Sequence, residues 1–271
     1  MRILLVFALG ALGFAQSADQ RAAWNQPVKP FKIIGNVYYV GAHVSSFYIT
    51  TPAGAILLDG GLPETAPLIE KSIAELGFSI KDVKILLNSH AHYDHSGGLA
   101  ELKKNSDARM VASERDAPVL TSGEGQFGAF PAAHVDRVIK DGGTIELGGV
   151  TLTAHITPGH TKGCTTWTMP VSSDGKTYQV VFYCSTSVVS KLVNNSDYPG
   201  IVSDYMRSFA ELKKMPCDVF LAPHAEQFHL EEKRKQLATG KLDAFVDPTE
   251  MQKFVDDSER SFRKELDEQL H

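Results

Sequence analysis

The sequence has no run of basic residues interleaved with aromatics, and its acidic residues outnumber its basic ones by 32 to 27. We therefore expect no nucleic-acid partner, because binding to phosphates relies on a basic surface. After residue 14 no stretch is long and apolar enough to span a bilayer, so we expect no membrane anchor in the mature protein. Hydrophobic residues make up 43% of the 271 residues, which is the balance of a globular protein with a large core.

The N-terminus has the composition of a secretion signal. Arg2 provides a short positive region, residues 3–14 are apolar but too short to cross a membrane, and Gly13-Phe14-Ala15 resembles a small-x-small cleavage site. We expect residues 1–15 to be removed as a signal peptide. Residues 16–271 should then form a single exported domain, which we expect to be a monomer.

The chain has only three cysteines, Cys164, Cys184 and Cys217. An odd number in an exported protein leaves at least one thiol unpaired or paired between chains. Two of the three lie in neighbouring predicted strands, residues 163–171 and residues 177–185, which a hairpin loop connects.

The register of this hairpin predicts a disulfide. If Val171 faces Thr177 across the loop, then Cys164 faces Cys184. Facing residues of an antiparallel pair have Cα atoms ~4.5–5.5 Å apart, a separation that a disulfide can bridge. We therefore predict a Cys164–Cys184 disulfide and a buried free thiol at Cys217.

Three histidines and one aspartate lie within six consecutive positions, as His90, His92, Asp94 and His95. They directly follow residues 83–88, an apolar run that is typical of a buried strand. Imidazole is a preferred zinc ligand, and a carboxylate can complete a second metal site. Loops at the carboxyl ends of strands are where α/β folds usually place their sites. This cluster therefore predicts a metal centre.

Two further histidines follow predicted strands in the same way. His160 comes after residues 150–156, and His224 comes after residues 219–222. Each would be weak evidence alone, but beside the cluster we expect both to be metal ligands. Three protein ligands with one open position form the pattern of catalytic zinc.

Strands and helices alternate along the chain in two similar halves that divide near Lys140. Residues 31–40 open the first half as a predicted strand of an antiparallel meander. Residues 121–133 contain glycines without a clear period, so we predict a long loop, and long loops in compact domains are often functional. The pattern predicts one α/β domain with two sheets.

The His-x-His-x-Asp-His run, together with the two later histidines, resembles the metallo-β-lactamase superfamily and, within it, the third subclass. The resemblance covers the chain from about Trp24 to the C-terminus. It implies an αββα four-layer sandwich, in which two mixed β-sheets are flanked by helices. It also implies two Zn²⁺ ions per subunit, the first bound by His90, His92 and His160 and the second by Asp94, His95 and His224.

One stretch, residues 182–187, distinguishes the reactions of the superfamily. In the first subclass a cysteine binds the second zinc, and here that position is Ser185. Glyoxalase-type thioesterases, lactonases and nucleases place a bridging aspartate in this stretch, whereas this chain has no aspartate between Asp174 and Asp197. Di-iron members have glutamate in place of the second histidine of the motif, here His92. These departures favour a β-lactamase.

The resemblance implies that a hydroxide bridging the two zinc ions attacks the amide of a small-molecule β-lactam, with no covalent intermediate. Asp94 would orient the hydroxide as a catalytic residue. Ser185 and Ser187 would bind the substrate carboxylate, unless they are strand-end serines satisfied by backbone. Asp59 and Thr161 are candidates for steadying ligand histidines, since such histidines usually donate to an acceptor.

Three aromatic residues, Trp24, Phe127 and Phe130, are candidates for lining the substrate groove or for ordinary packing. The resemblance also implies a bacterial periplasmic location. Two alternatives stay open. One is a zinc hydrolase of another ester, thioester or lactone, and the other is a non-catalytic periplasmic zinc-binding protein.

Overall fold

The structure, a computed structural model, describes residues 18–271. The predicted signal peptide, residues 1–15, lies outside the described residues. Across the part of the chain that is described, no helix combines the length and apolar character needed to cross a bilayer.

The described residues form fourteen strands and eight α-helices. The strands are β1 (Phe31–Ile34), β2 (Val37–Tyr39), β3 (Phe47–Thr51), β4 (Gly54–Leu58), β5 (Val83–Leu87), β6 (Arg109–Ser113), β7 (Glu124–Gly125), β8 (Gly128–Ala129), β9 (Arg137–Ile139), β10 (Thr144–Leu147), β11 (Val150–Ile156), β12 (Thr165–Ser173), β13 (Lys176–Phe182) and β14 (Val219–Leu221). The helices are α1 (Ala18–Trp24), α2 (Ala66–Glu75), α3 (Tyr93–Ser96), α4 (Leu99–Ser106), α5 (Ala117–Ser122), α6 (Ile201–Leu212), α7 (Leu230–Ala238) and α8 (Glu250–Leu270).

Two mixed sheets account for twelve of these strands. The first has the order β1-β2-β3-β4-β5-β6-β9, antiparallel from β1 to β4 and parallel from β4 to β9. The second has the order β10-β11-β12-β13-β14, and only its last pair is parallel. The chain passes from the first sheet to the second between β9 and β10, so the predicted division near Lys140 is confirmed.

The sheets pack face to face between layers of helices. Successive side chains of a strand point to opposite faces, and β4 shows the consequence. Ile56 and Leu58 belong to the hydrophobic core shared with Trp167 of the second sheet, whereas Leu57 packs with Ile69 of α2 on the outer face. Helix α8 packs on the second sheet, where the ring of Phe254 lies 5.1 Å from that of Phe220 in β14, and it packs on α6, where Phe262 lies 4.9 Å from Tyr205. This is the expected αββα sandwich.

Two predicted elements differ in detail from the structure. Residues 31–40 form two strands rather than one, because the chain turns at Gly35, whose φ of 50° lies in the left-handed region that glycine adopts readily. The predicted loop at residues 121–133 contains the end of α5 and the two-stranded hairpin β7–β8.

The β12–β13 hairpin corrects the predicted register by one residue. Val171 faces Tyr178 rather than Thr177. The reason is the turn, in which Asp174 and Gly175 have φ values of 51° and 74°. Positive φ at both central residues is the signature of a two-residue type I′ turn. We expected a loop of five residues, so each strand extends further toward the turn than predicted.

Candidate metal centre

The cluster of histidines occupies the loop that leaves β5 at the carboxyl edge of its parallel neighbours. His92 is extended, with φ −91° and ψ 151°, and it precedes the single turn of α3. Asp94 and His95 lie on that turn. The backbone changes here from an extended segment to a helical turn, which brings side chains of the two segments into one region. The four side chains of the cluster, those of His90, His92, Asp94 and His95, are all buried.

Asp59 fixes the start of this loop. Its carboxylate Oδ1 accepts hydrogen bonds from the backbone N–H of Ser89 at 2.7 Å and from the side-chain amide of Asn88 at 3.0 Å. Burial raises the pKa of the Asp59 carboxyl to about 6, although the charge of His95 and these hydrogen bonds oppose the shift. The side chain of Asp59 therefore positions the ligand loop by binding the backbone of the loop at Ser89.

The six predicted ligands come together as two neighbouring triads. In each triad the three candidate ligand atoms lie within 4.8 Å of one another; the first triad is His90, His92 and His160, and the second is Asp94, His95 and His224. His160 follows β11 and His224 follows β14, so the second sheet contributes one residue to each triad.

The nitrogens of the triads suit a metal ion. His90 Nε2, His92 Nε2, His95 Nδ1 and His224 Nδ1 are buried without a hydrogen-bond partner within residues 18–271. Burial lowers the pKa of His160 to about 4 and that of His224 to about 3, and it lowers the pKa of His90 and His92 well below the usual value. Neutral imidazoles with free lone pairs are the form that binds zinc.

The carboxylate of Asp94 lies at the centre of the second triad. Its Oδ2 is 3.1 Å from Nε2 of His95 and 3.5 Å from Nε2 of His224. Burial opposes ionisation, but the neighbouring His95 and His224 outweigh it and lower the pKa of Asp94. The pKa of His95 is raised, because its ion pair with Asp94 outweighs burial. A metal ion bound here would displace the proton of His95.

Hydrogen bonding fixes the tautomer of His160. Its Nδ1 lies 2.8 Å from the carbonyl oxygen of Ser187, which can only accept, so Nδ1 carries the proton. Nε2 is then the unprotonated nitrogen and the available ligand atom. Ligand histidines commonly donate their other N–H to a carbonyl in this way. The hydroxyl of Tyr205 donates to the same oxygen at 2.7 Å.

The predicted role of Thr161 involves a residue that the sequence analysis missed. Its hydroxyl donates to Oδ2 of Asp116 at 3.0 Å, and the same oxygen accepts the backbone N–H of Ala91 at 2.9 Å. Ala91 lies between His90 and His92. Asp116 thereby ties the two ligand loops of the first triad together. Its position shortly after β6, at the same sheet edge, was the available signal.

All six candidate ligands line one cleft of about 260 Å³. Ser185 and Ser187 form part of its wall, and their hydroxyls lie 3.3 Å apart. Trp24 and Phe127 also line it, with their rings 5.2 Å from that of His224 and 4.8 Å from that of His92, respectively. Phe130 does not line the cleft: it is buried in the core on the outer face of the first sheet, which is the ordinary packing that the sequence left open for this residue.

The structure contains the predicted disulfide between Cys164 and Cys184, with their Cα atoms 5.8 Å apart. Both cysteines lie just beyond the paired residues of β12 and β13. The two segments are still close enough there for a disulfide, although the register differs from the predicted one. The disulfide lies beside His90, but its sulfurs are not free to bind metal. Cys217 is a buried free cysteine, and burial raises the pKa of its thiol to about 12.

Two three-ligand sets in one open cleft form an arrangement suited to metal-assisted hydrolysis. Three protein ligands leave a coordination position for water or substrate on each ion. Zinc fits the donors, which are five imidazoles and one carboxylate.

Comparison with known proteins identifies the family to which this architecture is similar. The model of the family described as the metallo-beta-lactamase superfamily matches residues 39–224. The structure of BJP-1, a subclass B3 metallo-beta-lactamase of Bradyrhizobium japonicum, is 41% identical with a TM-score of 0.87, and the match covers 92% of this chain and 97% of that one. For native FEZ-1 metallo-beta-lactamase from Legionella gormanii the identity is 42% and the TM-score 0.88, with 90% and 98% covered.

A curated relative carries a different name. A hydroxyacylglutathione hydrolase of Rhodopseudomonas palustris (strain BisB5) is 31% identical over 115 residues. This match spans 42% of the chain and only 39% of the length of the relative. The likeness to the subclass B3 structures therefore extends over far more of the chain.

Proposed function

The chain belongs to the metallo-beta-lactamase superfamily of hydrolases, and from that premise we propose that it hydrolyses the amide bond of β-lactams with zinc as its cofactor. One observation carries the proposal. The two triads supply five histidines and a single carboxylate in one cleft, in a chain similar to subclass B3 enzymes over nearly its whole described length.

The two triads would each hold one zinc ion. When bound, zinc acidifies a water into a nucleophile at neutral pH and polarises the substrate carbonyl. His90, His92 and His160 would hold the first ion, and their neutral state removes any need to displace protons there. In the second triad, the carboxylate of Asp94 faces both histidines and would orient the attacking water by accepting its hydrogen bond.

Ser185 and Ser187 would bind the carboxylate of the substrate. The Ser185 hydroxyl oxygen accepts the backbone N–H of Ser187 at 3.2 Å, and the Ser185 hydroxyl donates to Ser187 Oγ at 3.3 Å. Because Ser187 Oγ accepts the hydrogen bond from Ser185, the hydroxyl hydrogen of Ser187 points away from Ser185. The side chain of Ser187 is exposed at the cleft, so this hydroxyl can donate to an incoming carboxylate.

Thioester hydrolysis is the second candidate, favoured by the similarity to hydroxyacylglutathione hydrolases. Against it, Asp94 is the only carboxylate in the two triads, and residues 182–187 offer none where thioesterases are expected to place a bridging aspartate.

The test is hydrolysis of a carbapenem, a chromogenic cephalosporin and S-lactoylglutathione by the purified protein, with zinc and with a chelator. We expect turnover of both β-lactams that zinc supports and chelation abolishes, at a kcat/KM far above that for the thioester. Turnover of the thioester alone would establish the second candidate. Tight zinc binding with no turnover of any of the three would indicate a zinc-binding protein without catalysis.

We also propose that the protein acts in the bacterial periplasm. The disulfide supports this, because disulfides persist in oxidising compartments. Fractionation of an expressing cell, with mass analysis of the protein, tests it. A product of the full-length mass in the cytoplasmic fraction would refute both the location and the predicted removal of residues 1–15.

A further inference from the structure

A second cavity of about 640 Å³ opens beside the first triad. We call it the side pocket. His92 and His160 line both the side pocket and the metal cleft, so the two spaces adjoin at the first triad. Gln126 lies at this boundary, where its side-chain amide donates to Ser190 Oγ at 2.7 Å and links the loops on either side.

The side pocket is lined by an excess of cations. Arg115, Lys162 and Lys191 all line it and all are exposed. Within residues 18–271 none of the three forms a salt bridge. This concentration of positive charge contrasts with the formal net charge of the whole chain, which is −5.

Two carboxylates line the side pocket, and within residues 18–271 neither forms a salt bridge with these cations. Asp116 is only 4% exposed, and its Oδ2 is already engaged with Ala91 and Thr161. Asp197 is exposed, so three exposed cations face one exposed carboxylate.

One of the cations is held in place. The ammonium of Lys162 donates to the carbonyl oxygen of Asp197 at 2.7 Å and lies 5.2 Å from the centre of the Tyr198 ring. These contacts already restrict the Lys162 side chain, so less side-chain entropy is lost when an anion binds. Within residues 18–271 the ammonium makes this one hydrogen bond, although it has three N–H groups.

We propose that the side pocket binds an anionic group on the acyl side chain of the substrate, in addition to the carboxylate expected at Ser185 and Ser187. This inference rests on the proposed function. A lactam ring at the two triads would place one substituent beside His92 and His160, where the side pocket begins. Several cations that form no salt bridge attract an anion both in binding and in the approach that precedes it. The preferred substrates are therefore dianionic β-lactams.

Benzylpenicillin and carbenicillin form a matched pair of probes, because they differ by one carboxylate on the acyl side chain. The quantity to measure is the ratio of kcat/KM for carbenicillin to kcat/KM for benzylpenicillin. We expect Arg115→Gln, Lys162→Gln and Lys191→Gln each to lower this ratio roughly two- to fivefold, as exposed charge pairs do. Raising the salt concentration should lower it in the unmodified protein.

Lys104→Gln is the matched control, since it removes the same charge from an exposed site on α4, away from the pocket. Ratios that stay unchanged in all three pocket variants, or that fall equally in the control, would overturn the proposal. Circular dichroism of each variant shows whether it has folded, and the single variants keep the test open if a triple variant does not fold.

Binding is measured separately by calorimetric titration of the zinc-loaded protein with phenylmalonate and with phenylacetate, which differ by the same carboxylate. We expect phenylmalonate to bind more tightly, and the difference to shrink in the three pocket variants but not in Lys104→Gln. An equal loss of affinity for both anions would overturn the proposal. If the penicillins, the carbapenem and the cephalosporin all resist hydrolysis, the proposed function fails, and this titration still decides whether the side pocket selects the dianion.

Discussion

At the scale of single residues, the candidate site depends on two buried carboxylates that lie outside both triads. Asp59 holds the beginning of the ligand loop, and Asp116 holds its middle. Both carboxylates are buried, and both accept hydrogen bonds from backbone N–H groups of the loop. These hydrogen bonds fix the backbone beside the candidate ligands and thereby position their side chains. Loss of such a supporting contact typically lowers metal affinity or activity about 10–100-fold.

Asp116→Ala should therefore weaken zinc binding to the first triad. The substitution frees the N–H of Ala91 and the hydroxyl of Thr161, so both ligand loops lose a shared anchor. We expect zinc affinity to fall about 10–100-fold, measured by competition with a chromogenic chelator. Asp243→Ala, at an exposed position, serves as the control. Equal affinities in the two variants would contradict the role assigned to Asp116.

The pH dependence of stability gives a second test of Asp116. Burial raises the pKa of its carboxyl from 3.8 to about 6, despite hydrogen bonds from Ala91, Thr161 and Gly163. Between these pH values the unfolded state loses its proton before the folded state does. The stability that the protonated, folded carboxyl contributes is therefore present below about pH 4 and lost as the pH rises through 6.

Asp116→Asn removes this titration. In chelated protein, we expect the free energy of unfolding of the unmodified chain to fall relative to the variant by roughly 1–3 kcal/mol between pH 4 and pH 7. Urea unfolding at several pH values provides the measurement. A difference between the two proteins that does not change with pH would show that the carboxyl has an ordinary pKa.

At the scale of secondary-structure elements, the disulfide fastens the β12–β13 hairpin next to the first triad. Its cysteines are separated by 20 positions in the sequence. Replacing both, as Cys164→Ser with Cys184→Ser, should lower the free energy of unfolding by about 3 kcal/mol, because a loop of this size is no longer closed in the unfolded chain. Denaturant unfolding without reductant measures the effect.

A reducing agent supplies the control for this variant. It should destabilise the unmodified protein to a similar extent and leave the double variant unaffected, since Cys217 has no disulfide to lose. If reductant leaves the stability of the unmodified protein unchanged, the bridge does not stabilise the fold in solution.

The same hairpin shows how far the sequence allows prediction. Its strands and its disulfide follow from local pattern, yet the register differs by one residue because the turn at Asp174 and Gly175 is tighter than expected. The candidate ligands could be grouped from the sequence because four of them lie within six consecutive positions. Asp116 was not, because its contacts reach 25 and 45 positions along the chain and exist only once the sheets are packed.

At the scale of the whole molecule, each triad needs both sheets. His90 and His92 come from the first sheet and His160 from the second, and the other triad divides in the same way between Asp94 with His95 and His224. The metal centre therefore exists only when the two sheets are docked. We therefore expect metal binding to be coupled to folding, so that zinc raises the unfolding temperature in a concentration-dependent way.

A titration of the metal-free protein with zinc, in which bound zinc and the rate of carbapenem hydrolysis are followed together, tests whether the two triads form a zinc-dependent β-lactam hydrolase. We expect hydrolysis to appear as zinc binds, binding to saturate at two ions per chain, and His160→Ala to bind less zinc with little turnover. A folded protein that holds two zinc ions and does not hydrolyse the carbapenem or the cephalosporin would contradict the central claim.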